Sequence, residues 1–242
     1  MKKLLLVFTL LLGMGISASQ VMAAERLGVY VAPKLAWTFV DMGKVQGESW
    51  ISGTVNQSDN DSVFAYGIGI GYDFRPRLNV PLRTELEYFF LSEVNGQAND
   101  LWSDGAEYDN SYSKHDLNIQ TLFLNAYYDF NTGTPFTPYV GAGLGVAFIQ
   151  DQMRYTNNWG DLGYDNSYSD KSSSKRRTNF AWNIGAGIGW EALDWLTLDL
   201  GYRFSSLGKA ETGTAFFWYG EQKYKVKNIK THQVMLGLRL TF

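Results

Sequence analysis

The residues best suited to chemistry are charged and evenly spaced. Lys34, Asp73, Arg83, Glu85, Glu87, Asp129, Asp199, Arg203 and Arg239 each occupy an alternate position in a segment whose other positions are largely apolar. Side chains two apart share one face of a β-strand, so the charges are predicted on one side and the apolar groups on the other. Opposite charges shut away from water pair, because one left uncompensated is costly. The expected arrangement is a structural lumen network of Lys34, Arg83, Glu85, Glu87, Asp129, Asp199, Arg203 and Arg239, in which Glu85 or Glu87 meets Arg203 or Arg239. The alternative is a narrow conduit lined by the same charges.

Catalysis and metal binding find less to use. The chain has two histidines, His115 and His232. His232 has the parity of Val234 and Leu236 and points outward, and no serine lies at a telling distance from it. His115 adjoins Asp116 at the start of a strand. A base without a positioned nucleophile does not make a hydrolase, so no catalytic residue and no enzyme activity are expected. Asp59, Asp61, Asp100, Asp104, Asp161 and Asp165 could offer oxygen to calcium, but no run matches a known calcium loop, and neither metal nor cofactor is expected.

Eight alternating segments position these groups: Leu27 to Phe39, Val63 to Phe74, Pro81 to Ser92, His115 to Phe130, Thr137 to Gln150, Asn179 to Trp190, Trp195 to Ser205 and Asn228 to Phe242. In the last, Val234, Leu236, Leu238, Leu240 and Phe242 alternate with polar or small residues. Four connections are long and polar: Gly43 to Asp61, Val94 to Lys114, Asp151 to Arg177 and Gly208 to Lys227. The three between them are short: Arg75 to Val80, Asn131 to Pro135 and Ala192 to Asp194. Short turns on one side and long loops on the other are the pattern of outer-membrane hairpins. A water-soluble barrel would keep its apolar face inside, whereas here the inward set is charged. The predicted fold is therefore all-β, a monomeric, eight-stranded, antiparallel up-and-down transmembrane β-barrel.

The beginning of the chain and its composition agree with this. Lys2 and Lys3, an apolar run from Leu4 to Leu12 and the small-residue site around Ala23 read as a signal peptide over residues 1–23, leaving residues 24–242 as the barrel domain. Net charge is −3, and loss of Lys2 and Lys3 makes the mature chain more acidic, which argues against nucleic acid as a partner. Without cysteine there is no disulfide framework. Aromatics make up 16% of the chain. They mark both ends of the apolar faces, as interfacial belts do. Trp37, Phe39, Phe64, Phe90, Phe148 and Phe180 lie towards the long connections, and Phe74, Phe130, Trp190 and Phe242 towards the short ones.

Tyr30 to Trp37 (YVAPKLAW), Tyr66 to Phe74 (YGIGIGYDF), Pro138 to Phe148 (PYVGAGLGVAF) and Leu236 to Phe242 (LGLRLTF) resemble the opacity-type outer-membrane β-barrel family of small surface proteins. The resemblance implies a cell outer-membrane location and a structural or adhesive role. The loops would contact a host or surface ligand, and a small-solute channel or a lipid-modifying enzyme stands as the alternative. It also implies lipid, lipopolysaccharide and the barrel assembly machinery as partners, with Phe242 as the assembly signal. Within the long connections Tyr108–Ser113 reads YDNSYS and recurs at Tyr164–Ser169, a composition suited to adaptable contacts. Lys171, Lys175, Arg176 and Arg177 end the third long connection, and Lys223, Lys225, Lys227 and Lys230 end the fourth. With only one strand between them, the two clusters are expected to form a lipopolysaccharide-phosphate contact.

Phe242 ends the apolar face, whereas Thr241 has the lumen parity. Phe242→Lys is therefore expected to impair insertion more than Thr241→Lys, measured by heat-modifiable gel mobility. Equal insertion of the two variants would refute the role of the terminal aromatic.

Overall fold

The computed structural model describes residues 27–43, 45–47, 59–103, 107–161, 164–171, 174–211, 215–217, 220–222 and 224–242. Its strands are β1 (Val29–Met42), β2 (Val45–Gly47), β3 (Asp59–Asp73), β4 (Leu82–Leu91), β5 (Val94–Ser103), β6 (Glu107–Asp129), β7 (Phe136–Asp161), β8 (Tyr164–Lys171), β9 (Lys175–Leu193), β10 (Leu196–Glu211), β11 (Ala215–Phe217), β12 (Gly220–Gln222) and β13 (Tyr224–Thr241). Eight of them, β1, β3, β4, β6, β7, β9, β10 and β13, pair in that order into a closed antiparallel barrel. β1 and β13 close the ring, from Tyr30↔Thr241 to Asp41↔Lys230. The seam is tied at its base, where Leu27 N donates to Phe242 O at 3.0 Å and Phe242 N donates to Val29 O at 2.9 Å. Closure leaves no open edge in the membrane, where an unpaired backbone group costs several kcal/mol.

The alternation read from the sequence sorts the side chains. Leu35, Trp37, Tyr66, Ile70, Leu86, Leu124, Leu144, Ile184, Leu200 and Leu236 are exposed on the outer face. Arg83, Glu85, Glu87, Asp129, Arg203 and Arg239 are buried inside. Glycines make room for large inward groups. A Cβ at Gly71 would lie 2.2 Å from the Tyr30 ring, and one at Gly69 would lie 2.6 Å from the Glu85 carboxyl carbon.

The strands outrun their expected limits. The second and third long connections, expected as loops, are largely sheet: β6 and β7 pair without a break from Asp129↔Tyr139 to Glu107↔Asp161. β5 extends the ladder on one side and β8 on the other. These stretches are polar on both faces, so hydropathy alternation does not reveal them, and the backbone ladder continues nonetheless. The two YDNSYS copies flank a single segment of β7. Tyr112 of one pairs with Thr156, and Ser169 of the other pairs with the same residue. The first short connection also differs, since Arg75–Leu78 form one helical turn, α1, closed by Asn79 in the left-handed region at φ 53°.

A second departure concerns polarity. On every stave the outward apolar run stops at a polar residue: Asp41, Ser62, Ser92, Gln120, Gln150, Thr178, Ser206 and His232, the last followed by Lys230. Towards and beyond that level the inward positions become apolar. Val40, Met42, Val63, Leu91, Val94, Leu117, Ile119, Ile149, Leu207, Ala210 and Ile229 form a buried cluster with Phe89 and Phe123. The interior is thus charged where the outside is apolar, and mostly apolar, with Asp151 buried beside the cluster, where the outside turns polar. The lower part is a membrane barrel, and the upper part has the inside-out polarity of a barrel in water.

With the long hairpins outside the cell, an impermeant maleimide added to intact cells is expected to label Ser174→Cys and Lys209→Cys. Arg77→Cys and Asp194→Cys should react only after lysis. Labelling of the second pair in sealed cells would invert the orientation.

Candidate functional site

The inward charges form three groups. In the middle of the lumen the Lys34 ammonium donates to Glu85 and, at 2.5 Å, to Glu87. Glu87 accepts a second charged hydrogen bond from Arg203 Nη1. Arg203 Nε donates to Gln233 Oε1 at 2.9 Å, and Gln233 Nε2 donates to Thr38 Oγ1 at 3.0 Å. β4 and β10, which carry Glu87 and Arg203, stand opposite each other in the ring, so this pair is a strut across the lumen. Nearer the short turns, Arg83 Nε and Arg75 Nη2 both donate to Asp129 Oδ2 at 2.7 Å. Arg239 Nη2 donates to Asp199 Oδ1 at 3.2 Å. Lys34, Arg83, Glu85, Glu87, Asp129, Asp199, Arg203 and Arg239, expected as one network, are thus four cations and four carboxylates that all form ion pairs, in three separate groups. Of the pairings weighed for Glu85 and Glu87, the one present is Glu87 with Arg203, while Arg239 takes Asp199.

Other participants were not singled out by charge parity. Arg75 sits in α1, outside any strand, yet reaches Asp129. Uncharged inward groups also take part: Asn183 Nδ2 donates to Asn125 Oδ1 at 2.9 Å. The Arg83 guanidinium lies over the rings of Tyr127 at 4.8 Å and Tyr139 at 5.1 Å. Their inward parity was available in the sequence, but a polar residue at an inward position does not disclose which staves it bridges. The Arg203 guanidinium lies 4.9 Å from the Phe89 ring centre and 5.7 Å from that of Phe123. The apolar cluster adjoins these rings. Facing side chains of both kinds fill the interior of an eight-stranded barrel.

The outer-rim residues fall out differently. Lys175, Arg176 and Arg177 pair in register with Asp151, Gln150 and Ile149 of β7. Lys230 stands opposite Asp41 on one side and Ser206 on the other, and Lys225 opposite Glu211. β9 and β10 pair only as far as Trp182↔Ser206. The ladder does not extend to join the two basic clusters, so sharing a neighbouring strand does not by itself make them one site. Lys171 and Lys225 are placed by backbone register alone, Lys227 by its position in β13, and Lys223 lies outside the described residues. His232 Nδ1 and the Tyr202 hydroxyl are 2.6 Å apart on the outer face, with Phe204 packed edge-on to the imidazole. Of the carboxylates weighed for calcium, Asp61 accepts from the Ser62 N–H at 2.7 Å, Asp104 lies outside the described residues, and Asp59, Asp100, Asp161 and Asp165 are placed by register alone. Phe242 is exposed at the foot of the seam.

Glu87 is fully buried and holds two cations. Its neutralisation leaves Lys34 and Arg203 short of charge, so Glu87→Gln is expected to cost roughly 3–5 kcal/mol. Asp199→Asn, at the more open Arg239 pair, should cost less. Urea unfolding in lipid vesicles measures both, and an undiminished midpoint for Glu87→Gln would mean that the strut adds nothing to stability.

The profile of a family described as the outer membrane protein beta-barrel domain matches residues 8–242. Outer membrane protein PagN of Salmonella typhimurium is 26% identical, with 91% of this chain and 92% of that protein aligned. A candidate adhesin of Rickettsia conorii is 28% identical over 73% of this chain and 66% of its own length. Among solved structures, outer membrane protein OprG of Pseudomonas aeruginosa shares the fold with a TM-score of 0.50 at 13% identity, covering 90% of this chain and 98% of that one. Fold, outward apolar band and sequence profile agree: the chain belongs to the outer membrane protein β-barrel domain family and resides in the cell outer membrane.

Proposed function

We infer that this outer-membrane surface protein is an adhesive scaffold, in which the barrel holds the outer hairpins rigid and the hairpins make the contacts. The observation that carries the reading is the continuous β5–β6–β7–β8 sheet. It brings both Tyr-Asp-Asn-Ser-Tyr-Ser copies against one segment of β7, and Tyr, Ser and Asn are the adaptable chemistry of contact surfaces. The naming of a 28%-identical Rickettsia relative as a candidate adhesin supports it. Against a conduit stands the buried apolar cluster above the charged lumen. Against a hydrolase stands the engagement of His232 with Tyr202 on the outer face. In this reading residues 1–23 direct export, Phe242 is read by the assembly machinery, and the barrel works as a monomer.

The registers say where to cut. Replacing residues 99–112 and 156–169 with two-residue Asn-Gly turns should close the ladders at Ala98↔Ser113 and Tyr155↔Asp170. The trimmed barrel is expected to insert and to show heat-modifiable mobility like the parent, while bacteria displaying it lose attachment to cultured epithelial cells. Attachment equal to that of the full-length protein would remove the hairpins from the function.

A further inference from the structure

The fourth outer hairpin joins the barrel differently from the second and third. On one side the β9–β10 ladder stops at Trp182↔Ser206, and on the other the β1–β13 ladder stops at Asp41↔Lys230. Ser206 and Lys230 are themselves partners, so both ladders end at one level. Above it, residues 207–211 of β10 pair with β13. Among the described residues, the one further ladder partner of this arm is β2, which meets β13 from Tyr224↔Gly47 to Val226↔Val45. β6 and β7 instead run on unbroken from the barrel.

Both strands of the arm bend just above that level. Between Ser206↔Lys230 and Gly208↔Ile229, β10 carries one residue more than β13. Between Gly208↔Ile229 and Ala210↔Val226, β13 carries one more than β10. An extra residue bends the strand that holds it. Gly208 at φ 86° and Asn228 at φ 60° are left-handed, a conformation that glycine takes freely and asparagine more readily than most. The other left-handed residues described, Gly28, Asn79 and Gly133, lie at the opposite end of the barrel. Two irregular strands side by side, both free of their outer neighbours, make a joint.

One side chain fastens the joint. Asn179 of β9 donates from Nδ2 to Leu207 O at 3.0 Å and to Lys209 O at 2.7 Å, the carbonyls on either side of Gly208. A Cβ at Gly208 would lie 2.9 Å from the Asn179 Cβ, so the clasp closes on a glycine. The amide does here what the backbone ladder does below Trp182. Packing adds to it. Leu207, Ala210 and Ile229 of the arm are buried in the apolar cluster, together with Ala181 of β9 and Val40 and Met42 of β1.

We propose that the fourth hairpin is a hinged flap over the apolar top of the lumen, with Gly208 and Asn228 as the hinge and Asn179 as the latch. Closed, it presses Leu207, Ala210 and Ile229 onto the cluster. With the latch released the arm turns away and uncovers apolar surface. A two-bond side-chain latch and three apolar contacts hold it, where the second and third hairpins have a continuous ladder, so it opens locally while the barrel stays folded. The adhesive reading draws on the second and third hairpins, and the flap stands without it.

The test uses the refolded full-length barrel in lipid vesicles. The chain has no cysteine, so single cysteines report opening. Leu207 and Ser205 are both buried inward residues of β10, one above the joint and one below it. Leu207→Cys should react with a maleimide faster than Ser205→Cys. Adding Asn179→Ala should speed Leu207→Cys on the order of tenfold, the scale of two lost hydrogen bonds, and leave Ser205→Cys unchanged. If Asn179→Ala folds poorly, amide exchange of the parent gives a separate reading. The amides of Leu207, Lys209 and Ile229 should exchange about tenfold faster than those of Leu117, Ile119 and Asp151, which stand just above the lipid-facing runs of β6 and β7 in an unbroken ladder. Equal acceleration at Leu207 and Ser205 would mean that the whole barrel loosens, and no acceleration at Leu207 would mean that Asn179 latches nothing. Equal exchange in the parent would mean that the fourth hairpin moves no more than its neighbours. Each of these overturns the proposal.

Discussion

Everything in this molecule depends on the pairing of β1 with β13. Lipid offers no hydrogen bonds, so a sheet can stand in it only when its first and last strands satisfy each other. Here that seam runs over most of both strands. Closure fixes which residues face inward, and an eight-strand ring is narrow enough that inward side chains from opposite walls meet. The ion network follows from that confinement. Lys34, Glu85, Glu87 and Arg203 lie far apart in the sequence and come together only because the ring brings β1, β4 and β10 around one small cross-section.

The same ring serves two solvents. Below the polar residues that end each lipid-facing run, burial of charge inside is tolerated because the charges pair and the outside is solvated by lipid. Above them the outside meets water, and the interior fills with Leu117, Ile119, Ile149, Leu207 and Ile229. This cluster anchors the outer sheet to the membrane barrel through side-chain packing as well as through the continuous backbone ladders. The hairpins are then extensions of a folded body rather than loops hung from a rim.

Much of this was legible in the sequence, because a period of two in residue type reports a strand with one apolar face. All eight staves were visible in that way, as were the inward charges and their shared face. The pairings inside were not, since parity gives a face and not a height or an angle around the ring. Glu87 could be assigned to the lumen, but its choice of Arg203 over Arg239 depends on strand stagger. The outer hairpins were invisible for another reason: β8 and the upper parts of β6 and β7 are polar on both sides, so no contrast marks the strand. The upper apolar cluster was missed because residues such as Val40 and Ile229 alternate with polar neighbours just as the lipid-facing ones do, one residue out of phase. Arg75 was missed because it lies in a turn, where parity has no meaning.

The strut between Glu87 and Arg203 has a consequence for how the barrel reaches its final form. The two residues are joined around the ring through four successive strand pairings on either side. A slip in any ladder that preserves the inward face must move by two residues, about 6.6 Å along the strand. Slips so small leave the greasy and polar faces correctly sorted, so lipid contact alone does not penalise them. They would separate Glu87 from Arg203 and strand both charges beside Phe89 and Phe123. The pair thus sums the registers of the whole ring into one distance, and a buried charge detects an error that hydrophobicity cannot.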